Sequence, residues 1–328
     1  MPRLNFKSRL ASSWSRLNSR LGSHGSPEQG LAVLAYHRVG DRSLAAYDPW
    51  VYSTDADHLD EQVRYIKKHR RLVGLEEALE IVAGRIRDPG EATLLTFDDG
   101  YLDNYEVAFP ILKAQGAEAV FFVVTSFAAG GVIPWWDQIA WIVKSARADS
   151  FQLASRDGPV KFHLDSTNRA DVVTKVLDLY KGNPSEAPDE FIQELEQSCD
   201  SVRPDANARM FFSWNEAREM QAAGMRIAAH TDSHRILASL SPTDQRAEVD
   251  RSQQILEREL QTPIDVMAYP VGSADAFNTI TEQVLAECGY RAAFSCHGGI
   301  NGRFNSRLFD IKRIPVWWGA EPAWLFEG

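Results

Sequence analysis

Two pairs of residues in this sequence have the types and spacing to do chemistry. They are the adjacent carboxylates Asp98 and Asp99 in "LLTFDDGYLDNY", and His230 and His234 in "HTDSH". Neighbouring carboxylates at the end of an apolar run repel each other unless a positive charge sits between them. Histidines at i and i+4 point the same way if the second lies on a helical turn, and two imidazoles so placed grip one cation. Two histidines and one carboxylate, with a position left open for water, is the donor set of catalytic rather than structural zinc. The aspartates would then divide the labour, one binding the metal and the other staying free nearby as a base. Each signal alone is ordinary, since a DD pair often caps a helix and HxxxH on a polar loop often does nothing. With His37 at a further strand end, the combination makes a candidate site.

The elements that must position these residues follow from the apolar runs. Strands are expected at about 31–37, 71–75, 93–97, 119–125, 226–230, 266–270, 291–296 and 311–316, separated by segments of helical periodicity such as "DHLDEQVRYIKKH" and "TDQRAEVDRSQQILEREL". Strands alternating with helices read as repeated βα units and an α/β fold. His37, the two aspartates, His230, and Tyr269 with Pro270 all fall at strand C-terminal ends, which in a parallel barrel share one face. The stretch at about 132–212 breaks the rhythm. It reads as a helical insertion on the rim, built on "WWDQIAWIVKSA", "NRADVVTKVLDLYKG" and "PDEFIQELEQSC", and would wall one side of a cleft.

Composition bounds the function classes. The chain has 328 residues, 44% of them hydrophobic, enough for a sizeable core, and a formal net charge of −10 that opposes binding to nucleic acid. Cys199, Cys288 and Cys296 are odd in number and lack CxxC spacing, so neither a disulfide framework nor a cysteine zinc site is expected. No apolar run is long enough to span a bilayer, and no secretion signal is recognised, which places the expected location in the cytoplasm. Residues 1–29 read as a separate arm before a domain at 30–328. Within 1–25, Phe6, Leu10, Trp14, Leu17 and Leu21 recur at helical spacing beside Arg9, Arg16 and Arg20. That pattern fits a solvated arm, a helix packed on its own domain, or peripheral contact with an anionic membrane at its inner face.

"TFDDG", "HTDSH" and "AYPVG", in that order and on those strands, resemble the first three motifs of the polysaccharide deacetylase family, the NodB-homology or carbohydrate esterase family four proteins. The resemblance covers nearly the whole chain from Leu31, apart from the insertion. It implies a distorted (β/α) barrel of seven or eight strands that removes acetyl groups from sugars using a divalent metal, zinc first. It further implies Asp98 as general base, Asp99, His230 and His234 as metal ligands, and the backbone N–H of Val271 in an oxyanion hole. Many members carry an arginine in the third motif to steady the base; here Ala268 and Tyr269 stand there, and Arg313 in "IKRIPV" is the candidate replacement. "LAYHRVG" resembles the early YH motif of the poly-N-acetylglucosamine deacetylase branch, which makes His37 the general acid, with His297 next in line.

The expected substrate is an N-acetylated glycan, on which Tyr269, Trp317, Trp318, Trp135 and Trp136 are candidates for stacking. Two other readings stay open: a metal hydrolase of another C–N bond, such as a ureide or cyclic amide, and an inactive glycan-binding relative. The sequence leaves the glycan's linkage and the oligomeric state open.

Overall fold

Eight parallel strands, numbered here along the main sheet, build the frame: β1 (Ala32–Tyr36), β2 (Arg71–Leu72), β3 (Ala92–Phe97), β4 (Val120–Val123), β5 (Arg226–Ala229), β6 (Val266–Ala268), β7 (Ala292–Phe294) and β8 (Ile314–Pro315). They belong to a computed structural model that describes residues 30–86, 91–155, 158–182, 188–205, 207–302 and 307–326. The basic stretch expected at 1–25, with its membrane contact, lies outside the described residues. Spatial order is β7-β6-β5-β4-β3-β1-β8, and β2 runs beside the start of β3. A parallel bridge between Phe294 and Ile311 links β7 to the approach to β8, so the sheet curls on itself as a distorted (β/α) barrel of NodB type.

The eight runs expected from sequence are the eight strands. Their near-continuous apolar character reflects burial on both faces, which is what a parallel sheet covered by helices requires. Period-two alternation sorts the side chains. Leu34, Tyr36, Leu95, Phe97, Phe121 and Met267 face outward, where helices Ala56–His69, Trp214–Ala222, Pro242–Leu260 and Thr279–Glu287 cover them. Val33, Leu94, Phe122, Ala228, Ala268 and Phe294 face inward, and helix Leu75–Val82 packs against that inner set. Each fully buried Leu or Phe contributes about 2 kcal/mol of transfer free energy, so both layers drive closure.

Between β4 and β5 the chain leaves the barrel. Helices Trp135–Ser145, Arg169–Gly182 and Pro188–Ser198 form there, as their periodicity predicts, around an apolar core of their own that includes Ile139, Val143, Val173 and Leu195. The segment is not wholly helical. Ser150–Leu153 pairs antiparallel with Val160–His163, and only alternate residues of that hairpin are buried. Among the described residues no helix is long and apolar enough to cross a membrane.

Candidate active site

Inward-facing positions continue one residue past the strand ends. Asp98 N–H still donates to Tyr36 O, and His230 N–H to Val123 O, both at ladder distances of 2.9 and 3.0 Å. The alternation Val33, Ala35, His37; Leu94, Thr96, Asp98; and Ala228, His230 therefore delivers three chemically active side chains to one mouth of the barrel. Asp99 would point the opposite way if the strand went on. Its φ of +71° breaks the alternation instead, a conformation Asp tolerates better than most residues, and both carboxylates meet His230. His230 Nε2 lies 4.0 Å from Asp98 Oδ2 and 3.6 Å from Asp99 Oδ1.

His234 completes the cluster, but not on a helical turn as the i, i+4 spacing suggested. The loop after β5 is irregular, with Thr231 at φ +66° and His234 at φ +58°. Side chains pin it where helix would otherwise have formed: Thr231 Oγ1 accepts from His234 N–H, Thr125 Oγ1 donates to Asp232, and Ser233 donates through N–H and hydroxyl to Glu248. His234 Nε2 ends 3.4 Å from Asp99 Oδ1. One donor atom each from Asp99, His230 and His234 lies within 4.8 Å of the others.

The electrostatics of this trio suit a cation. His230 Nδ1–H donates to Ala268 O at 2.8 Å, which fixes the tautomer and leaves the Nε2 lone pair facing Asp99. Burial pushes His230 down to about 4 and His234 well below the usual imidazole value, so both rings are neutral near neutral pH. Burial, together with the charges of Asp98 and Asp137, pushes Asp99 well above the usual carboxylate range. Asp99 Oδ1 is buried with no hydrogen-bond partner among the described residues. A buried orphan carboxylate oxygen facing the Nε2 atoms of two neutral imidazoles is what a bound divalent cation would satisfy.

Asp98 is held differently. Arg313, fully buried, donates Nη1–H to Oδ1 at 2.7 Å and Nη2–H to Oδ2 at 2.9 Å, while its Nε–H goes to Ser295 O at 3.0 Å. Burial alone would raise the Asp98 pKa; the guanidinium, aided by His230 and His37, outweighs it and holds the carboxyl below the usual range. His37 Nε2 stands 3.9 Å from Asp98 Oδ2, with its side chain 35% exposed. Burial lowers its pKa, and the Asp98 charge opposes that. Its backbone is clamped on both sides, N–H to Ser53 Oγ and C=O from the buried Asn104, which begins a π-helical turn at Asn104–Ala108.

The remaining candidates divide. Val271 is 42% exposed at φ +64°, a costly conformation for a β-branched residue, and its N–H finds no acceptor among the described residues. Tyr269 is a correction: it faces outward from β6, stacks on Phe277 at 4.1 Å and donates its hydroxyl to Phe309 O, so it offers a sugar no face. Trp136 is also taken. It is buried, lies 4.7 Å edge-on to the His234 ring and donates to Tyr101 Oη at 2.9 Å. Trp135 packs on Tyr180 at 4.4 Å. His297 is paired with Asp310 at 2.9 Å. The loop-pinning residues Thr125, Glu248 and Asn104 were missed, because nothing in their local sequence marks a contact made far along the chain.

Residues 85–293 match the polysaccharide deacetylase family, and the chain belongs to it. Its fold is similar to that of the Streptococcus pyogenes deacetylase PplD in complex with acetate, at 20% identity and a TM-score of 0.59 over 92% of this chain and 98% of that one. It is also similar to that of IcaB from Ammonifex degensii, at 21% identity and a TM-score of 0.57 over 91% and 97%. A stretch of 102 residues is 32% identical to the poly-β-1,6-N-acetyl-D-glucosamine N-deacetylase of Escherichia coli (strain K12), covering 31% of this chain and 15% of that protein.

Proposed function

We propose that this chain hydrolyses N-acetyl groups on the amino sugars of a polysaccharide or oligosaccharide, with a divalent cation held by Asp99, His230 and His234. The observation that carries the reading is the division of the paired carboxylates: Asp99 faces two neutral imidazoles with an unpartnered oxygen, and Asp98 is clamped by Arg313. Zinc suits two imidazoles and a carboxylate. When bound, the cation polarises the acetamide carbonyl and lowers the pKa of water from 15.7 toward about 7.

The chain's own residues supply the proton transfers. Asp98, kept ionised and aimed by Arg313, accepts a proton from the attacking water. The Val271 N–H donates to the developing oxyanion, a contact typically worth about 3 kcal/mol. His37 gives a proton to the departing amine nitrogen, since an amine anion does not leave unprotonated. The acetyl group departs as acetate and the sugar keeps the amine. Arg313 touches no substrate in this scheme and serves to orient the base.

The test measures acetate release from N-acetylated glycan oligomers by the zinc-loaded protein, its chelated form, and His37→Ala. Chelation should abolish release and zinc restore it. His37→Ala should lose amide hydrolysis by about 10²- to 10⁴-fold and far less with an activated aryl acetate, at unchanged metal content. Turnover of a ureide or cyclic amide in place of every N-acetylated glycan would overturn the assignment.

A further inference from the structure

In amide hydrolysis the leaving amine stays on the sugar, so the glycan must extend from the acid's side of the site, away from the groups that hold the acetyl oxygen. His37 follows β1, and β8 is its neighbour in the sheet, with Val316 N–H donating to Ala35 O. The loops leaving those two strands carry an unexplained aromatic surface. Trp50 is 54% exposed and Trp317 is 52% exposed, although single large apolar side chains of this size are usually covered. Arg42 joins Trp50 to Trp318, the half-buried neighbour of Trp317, its guanidinium carbon 4.8 Å from the Trp50 ring and 5.4 Å from the Trp318 ring. The backbone that carries Trp50 is also fixed: its main-chain N–H donates to the buried Asp48, and three residues on, Ser53 Oγ takes the backbone N–H of His37.

We infer that Trp50, Arg42 and Trp318 form a glycan platform on the His37 side of the cleft, which binds the N-acetylated amino-sugar units next to the one being deacetylated. The inference rests on the substrate class proposed above. Indole faces match the apolar faces of pyranose rings, and the guanidinium between them pre-sets the spacing, so little ordering is required on binding. Arg42 acts as a positioning residue for the two rings.

The experiment compares wild type, Trp50→Ala and Arg42→Ala on a chain-length series of N-acetylglucosamine oligomers and on an aryl acetate. Oligomer binding to Asp98→Asn protein, with and without Trp50→Ala, is followed by tryptophan fluorescence. In wild type KM should fall with chain length. In Trp50→Ala the rise in KM over wild type should grow with length and reach about tenfold on the longest oligomers, with kcat little changed. The oligomer-induced fluorescence change should weaken by a similar factor. Variants that track wild type across the series, an equal loss on every substrate including the aryl acetate, or oligomers that bind with and without Trp50 alike would each overturn the platform. Oligomers that fail to bind at all overturn it too, whereas binding without acetate release counts against the catalytic reading alone.

Discussion

Removing the guanidinium of Arg313 exposes how the base is held, and the cost can be worked from its contacts. Arg313 is fully buried and gives two hydrogen bonds to the Asp98 carboxylate, one to Ser295 O and one to Thr96 Oγ1 at 3.2 Å. Arg313→Met keeps much of the volume and leaves the carboxylate of Asp98 buried without its partner. Breaking a buried pair in this way costs about 3–5 kcal/mol. At a urea slope of about 3 kcal/mol per molar, the midpoint should drop by about 1–1.7 M with the slope unchanged. Asp98→Asn alone leaves the opposite charge stranded and should cost a comparable amount. The double variant Asp98→Asn, Arg313→Met has neither charge, so it should be far more stable than the sum of the single losses predicts, with a coupling of about 2 kcal/mol or more. The assay is urea unfolding of chelated protein, so that metal binding adds nothing to stability. Additive losses within about 0.5 kcal/mol would refute the claim that the pair acts as a unit.

Other outcomes test the site and its surroundings. His234→Ala should lose bound metal while keeping the fold, as read by metal analysis and circular dichroism; full occupancy would remove His234 from the ligand set. Asp98→Asn should retain metal without turnover, whereas Asp99→Asn should bind metal weakly; equal metal loss in both would erase the division between them. A pH effect is expected at Asp137, fully buried beside Asp48, Arg38, Tyr101, Lys144 and Asp99, whose pKa burial pushes up to about 7. The folded state then holds a proton that the unfolded chain releases near pH 4, so stability falls as pH rises between those values and levels off above about 7. Asp137→Asn should remove about 2–3 kcal/mol of that decline between pH 5 and 8; an unchanged slope would show that Asp137 is ionised throughout.

The barrel was legible because its strands are largely apolar and three of them run straight into a residue that would be out of place in a core, His37, Asp98 or His230. Alternation also explains the assignments that differed. Tyr269 stands at a strand end like His230, but Val266 and Ala268 are the inward residues of its strand, so Tyr269 points to the helices. Sequence position marked the strand end, and only the pleat decides the face. The i, i+4 spacing of His230 and His234 would align them only on a helical turn, and the loop is not one: Thr231 and His234 have positive φ, held by hydrogen bonds to Thr231 Oγ1 and Glu248 that local sequence does not announce. The hairpin at Ser150–Leu153 and Val160–His163 was hidden by strands of four residues each with polar outer positions. Arg313 was a candidate by its position near a strand, but its pairing with a carboxylate 215 residues away could only come from the closed sheet.

That distance has a consequence for biosynthesis. On the ribosome, Asp98 emerges long before Arg313, and β1 and β3 can pair while the last strand is still being translated. Until Arg313 arrives, closing the frame would bury Asp98 without the guanidinium that gives it two hydrogen bonds, so the barrel has an electrostatic reason to stay open at the β8 side. Docking of the final strand both seals the sheet and sets the base. A nascent or truncated chain ending before residue 313 should therefore be inert rather than partly active, and should be a better protease substrate than its apolar content alone would suggest.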